Sequence, residues 1–95
     1  MEVTAYTSGP ESTGKSPGDP GYGVTASGTT AGPGTLAAPG NISFGTRMYV
    51  PGYGWGTVED RGGAIQGSHL DVWFETVAEA RRWGRQTLGV IVCNG

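Results

Sequence analysis

The 95-residue sequence predicts a small, mainly β barrel of about six short strands carrying one helical insert. Three observations lead there. Nineteen glycines without the every-third-residue period of collagen read as turns between short elements. Between the turns lie short runs of β-branched and aromatic residues, one of them clearly alternating. A single segment carries helix-capping chemistry. The length fits one domain over residues 1–95, with one core and little area to spare.

In chain order, "VTAYT" (Val3 to Thr7) is rich in β-formers and reads as the first strand. Ser8 to Gly23 holds three prolines, five glycines and no apolar period, so it reads as one long loop. Loops of that length in compact domains usually carry function or lack order. "VTASGTTAGPGTLAAPG" reads as a short strand followed by small residues and turns. Thr46 to Val50 and Gly56 to Asp60 form two further strands around turn chemistry at Pro51–Gly52. "SHLDVWF" alternates, sending Leu70, Val72 and Phe74 to one face and His69, Asp71 and Trp73 to the other. Thr76 followed three residues later by Glu79 is a capping box, and Gly84 is a natural stop, so a short α-helix lies near Thr76–Gly84. Arg81, Arg82 and Arg85 near its C-terminal end complement the macrodipole. "TLGVIVC" returns as a final strand, apolar enough for the middle of the fold. "PGYGVTASGT" and "PGYGWGTVED" start alike, which reads either as two tight turns or as two related half-barrels.

Six cations against eight acids give a net charge of −2. No basic stripe exists, and three of the cations crowd one segment, so nucleic acid is not the expected partner. No stretch is long enough to span a bilayer and no signal peptide is evident, so membrane insertion is not expected. Cys93 is alone and cannot staple the fold. One His, one Cys and scattered acids lack metal-ligand spacing, so no metal site is expected. "GYGWG" and "GPG" are not followed by a helix with Lys and Ser/Thr, so phosphate cradling has no support. Three Trp and four Tyr suit a carbohydrate or peptide surface as well as a core.

The candidate chemistry lies in "VEDRGGAIQGSHLDVWF". If Asp60 and Asp71 oppose one another across a hairpin, their side chains lie about 5 Å apart. A carboxyl held protonated in such a pair is what is needed to protonate a glycosidic oxygen. His69 shares the face of Asp71 and would orient it, while Trp73 would stack on a sugar ring. The alternative is two solvated ends of a hairpin, since Asp before "RGG" is ordinary turn chemistry. Register decides, because a slip of one residue puts the acids on opposite faces.

"VTAYT", "YGVTASGT", "FGTRMYVPGYG", "VEDRGGAIQGSHLDVWF" and "EARRWG" run in the order seen in the three-aspartate (3D) domain, which this chain resembles over nearly its whole length. The resemblance implies a six-stranded double-psi β-barrel of the kind shared with membrane-bound lytic transglycosylase A. It also implies peptidoglycan glycan strands as partner and substrate. Cleavage between N-acetylmuramic acid and N-acetylglucosamine with formation of a 1,6-anhydro ring would follow, in cell-wall turnover. On that resemblance Asp71 is the general acid/base and Asp60 its carboxylate neighbour, while Thr4, Tyr6 and Thr25 line the cleft. No cofactor is implied. The implied location is extracellular or in the cell envelope, as part of a larger wall protein or a phage protein. The sequence departs from the pattern in "LAAPGNISFGT", where the first aspartate is missing: either Ala38 stands in its place or one residue is deleted. That departure gives weight to a non-catalytic, expansin-like glycan-binding module, with a phage structural domain as a third reading. A small barrel with a long loop also allows a homodimer formed by segment exchange.

Overall fold

A computed structural model describes residues 1–9, 18, 21–61 and 69–93. Most of the predicted Ser8–Gly23 loop, and all of "RGGAIQGS" except Arg61, lie outside the described residues. The elements are β1 (Glu2–Tyr6), β2 (Thr35–Ala37), β3 (Arg47–Val50), β4 (Gly54–Asp60), β5 (His69–Trp73), α1 (Val77–Trp83), β6 (Gln86–Thr87) and β7 (Ile91–Cys93). The strands form one mixed sheet in the order β6-β1-β5-β2-β4-β3-β7, curled into a half-barrel. The mainly β class and the single short helix are as the sequence predicts, but seven strands replace the six expected among the described residues.

Alternation builds the core. Val3, Leu36, Met48, Val50, Val58, Leu70 and Val72 are fully buried, and five strands contribute to that one face. Phe74 and Trp83 pack against its edge. Gly56 makes the close approach of β4 to β2 feasible, because a Cβ there would lie 2.7 Å from Leu36 Cγ and 2.8 Å from the Gly34 carbonyl oxygen. The helix begins and ends as its sequence dictates. Thr76 Oγ1 accepts from the Glu79 amide at 3.2 Å and donates to Glu79 Oε1 at 3.0 Å, and Gly84 closes the last turn with φ of 67°. No residue of α1 is fully buried, and its indole anchor, Trp83, donates to the Val3 carbonyl at 3.2 Å.

Two expectations are corrected. The apolar C-terminal segment is not central: it splits into β6 and β7, which lie on opposite edges of the sheet. Leu88 exchanges two backbone hydrogen bonds with Met1 at 2.7 and 2.8 Å, which pins this segment to the β1 edge before Gly89 releases it towards β3. Ile91 is consequently 60% exposed, so hydrophobicity here reflects an edge strand rather than a central one. The strand expected at "VTAS" is reduced to one isolated bridge, Val24–Thr30, and the real strand of that region is "TLA".

Candidate active-site cleft

The acids do not face each other across a hairpin. β2 runs between β4 and β5, pairing parallel with the first and antiparallel with the second. Ala37 is in register with Asp60 on one side and Asp71 on the other, and Asp71 is in register with Thr4 of β1. Thr4, Asp71, Ala37 and Asp60 therefore form one lateral row across four strands, on the face opposite the core. Two strand spacings set the acids' Cα atoms about 9.6 Å apart. The small Ala37 methyl, almost wholly buried, floors the gap.

Simple alternation would not place Asp60 in this row. Val58 faces the core opposite Leu36, so an unbroken strand would send Asp60 there too. The register shifts between Leu36 and Ala37, leaving Glu59 as the extra residue of a β-bulge and turning Asp60 onto the Ala37 face.

Asp60 is held from three directions. The Tyr6 hydroxyl donates to its Oδ2 at 3.1 Å, and the amides of Ala26 and Arg61 donate to Oδ1 at 2.9 Å each. Burial, then the neighbouring Asp60 carboxylate, pushes the Tyr6 phenol far above its ordinary value, with a smaller contribution from Asp71. Tyr6 is thus a permanent donor at any physiological pH. The Arg61 guanidinium does not reach the carboxylates. It binds the backbone carbonyls of Asp60 (3.2 Å) and Ile42 (2.6 Å) and lies 4.0 Å from the centroid of the Phe44 ring.

Asp71 accepts a hydrogen bond from the Thr4 hydroxyl, and the same hydroxyl oxygen lies 2.7 Å from His69 Nε2. A hydroxyl carries one proton, so when Thr4 donates to Asp71 the imidazole donates to Thr4. His69 therefore supports Asp71 through Thr4. Thr25 lies in a turn that docks on β4 beside Asp60. Its Oγ1 is 2.7 Å from Thr29 Oγ1 and 3.1 Å from Ser27 Oγ, while Thr29 donates to Glu59 and the Ser27 amide to the Glu59 carbonyl. Trp73 lies on the acid face, two residues beyond Asp71, but it is buried and its indole N–H donates to Ser8 Oγ at 3.0 Å. It serves as a wall. The exposed aromatic platform of this face is instead Trp55, in register with Tyr49. In the sequence it is hidden in "GYGWG", which reads as turn chemistry.

Ala38 itself lies away from the acids. Ala38 belongs to the hydrophobic core and donates its amide to the Asp60 carbonyl, so its side chain has no access to the row of acids. Among the described residues, no group of three or more His, Cys, Asp or Glu is placed to hold a metal ion.

The family model for the 3D domain matches residues 35–94. The cell wall-binding protein YocH of Bacillus subtilis (strain 168) is 43% identical over 56 residues, which cover 59% of this chain and 20% of that protein. YabE of the same organism, provisionally named a cell wall shaping protein, is 38% identical over 56 residues, covering 59% of this chain and 14% of its own length. The matched segment is thus a fifth or less of either relative.

Proposed function

We propose, from the premise that this chain belongs to the 3D domain family, that it acts on peptidoglycan glycan strands and cleaves them as a lytic transglycosylase. Relatives named for cell wall binding and cell wall shaping support a role at the wall and a location there or outside the cell. The observation that carries the cleavage reading is the lateral row, in which two carboxylates flank an alanine floor on one face of the sheet. The parallel pairs β1–β5 and β2–β4, crossed by the antiparallel β2–β5 contact, support the interlocked double-psi arrangement. Pairing of β1 with β5 over five residues supports reading 1–95 as one domain, although the family match begins at Thr35.

In this mechanism the Asp71 carboxyl protonates the glycosidic oxygen as its bond to the muramic C1 breaks. The resulting carboxylate then takes the proton of the C6 hydroxyl while O6 closes on C1, giving the 1,6-anhydro ring. The proton is returned and no water is consumed. Asp60, fixed by Tyr6 and two amides, places negative charge beside the oxocarbenium-like sugar. Thr4 orients Asp71, and His69 holds Thr4.

Purified sacculi test this directly. Asp71→Asn should keep its circular dichroism spectrum and lose release of anhydro-muropeptides by at least roughly a hundredfold. Mass spectrometry discriminates the outcomes: anhydro ends mean a lyase, and reducing ends mean a hydrolase. Unchanged glycan that retains the protein on sacculi means a binding module. That second reading draws on the cell wall-binding relative and on the core position of Ala38, which leaves the row with two acids.

A further inference from the structure

The "PGYGWG" turn and strand are not used by the mechanism, yet they shape much of the open surface on the acid face. Trp55 and Thr57 share that face with Asp60, because Gly56 and Val58 point to the core. Trp55 is 51% exposed, high for so large an apolar side chain, and its ring is held in place. The Tyr49 ring meets it edge-on with centroids 5.5 Å apart, and the Arg47 guanidinium lies 5.3 Å from its centroid. Two depressions adjoin it. One, of about 410 Å³, is walled by Tyr53, Trp73 and Phe74 with Glu75 and Glu79 at its margin. The other, of about 340 Å³, is lined by Thr35, Thr57, Arg47 and Glu59. Pro33, Gly34 and Trp55 border both, so the indole stands between them.

The floor beneath is closely packed. Gly34 has φ of +89°, and a Cβ on it would meet the Trp55 carbonyl at 3.5 Å. The Tyr53 hydroxyl accepts from the Gly34 amide at 3.0 Å and donates to the Trp73 carbonyl at 2.7 Å, tying β5 to the groove. An exposed indole with the Arg47 guanidinium over one ring face, and with hydroxyls and carboxylates around it, matches a pyranose ring on its other face. The apolar C–H face of the sugar stacks on the ring, and its equatorial hydroxyls and acetamido group meet the polar margins.

We propose that Trp55 is the platform of a second sugar subsite, specific for N-acetylhexosamine units, on the same sheet face as the acids. Five residues along β4 place it about 16 Å from Asp60, so one glycan chain would rest on both. This rests on the glycan reading above and adds a subsite to it. Its function is to hold the strand while the bond over Ala37 is addressed.

Titration of the chain with N-acetylchitotetraose, followed by ¹H–¹⁵N NMR, tests the subsite separately from catalysis. The Trp55 indole N–H resonance should shift, and Trp55→Ala should weaken binding on the order of tenfold with unchanged thermal midpoint. Trp55→Phe should recover part of that loss. Shifts confined to amides around Asp60 and Asp71, with the Trp55 indole unmoved, would overturn the subsite and leave the glycan reading standing. No shift anywhere would overturn both. Movement of the Trp55 indole with a free stem peptide but not with the oligosaccharide would reassign the groove to peptide.

Discussion

Tyr6 links the two acids electrostatically at the scale of single residues. Its phenol is raised first by burial and then by Asp60 and Asp71, and the Tyr53 phenol is raised chiefly by burial. A raised folded-state value favours the protonated form, so the associated stability is complete below the unfolded value of 10.0 and is lost as pH climbs above it. Denaturant midpoints measured between about pH 8 and pH 11 should fall above pH 10, and Tyr6→Phe should fall less steeply. At neutral pH the same variant deletes one of the three donors to Asp60 and should cost about 1–2 kcal/mol. Ala38 gives the opposite lesson. A carboxylate placed there enters the hydrophobic core, so Ala38→Asp should lower unfolding stability by about 3 kcal/mol or more and add nothing to the row of acids.

Legibility varies sharply between elements. The helix is fully readable because Thr76, Glu79 and Gly84 act locally, within one turn of the bonds they satisfy. Thr76→Ala should cost about 1 kcal/mol in a urea titration and leave the sheet intact. β5 is readable for a similar reason, since one buried face imposes alternation on Leu70 and Val72. β2 is not: three residues among Ala, Gly and Pro carry no period, and their place between β4 and β5 is a long-range fact. The bulge at Glu59 is equally silent, because an inserted residue leaves no compositional mark. β6 and β7 mislead, since apolar edge residues look like central ones until their neighbours are known. Gly56 sits between these cases. It reads as a turn glycine but is required by the approach of Leu36 and Gly34, so Gly56→Ala should destabilise by about 1–3 kcal/mol in the same titration.

Across the whole molecule, the row of Thr4, Asp71, Ala37 and Asp60 draws on β1, β5, β2 and β4, and sheet order brings these strands together although β1, β2 and β4 are far apart in the chain. The sequence therefore identifies the acids and their face-mates, while their spacing emerges only from the fold. β2 is the element with a consequence beyond the row itself. Because it is hydrogen-bonded to both acid-bearing strands, the gap between the carboxylates is gauged by a strand that lies earlier in the chain than either. A change in β2 would therefore act on both acid-bearing strands at once, although it touches neither carboxylate.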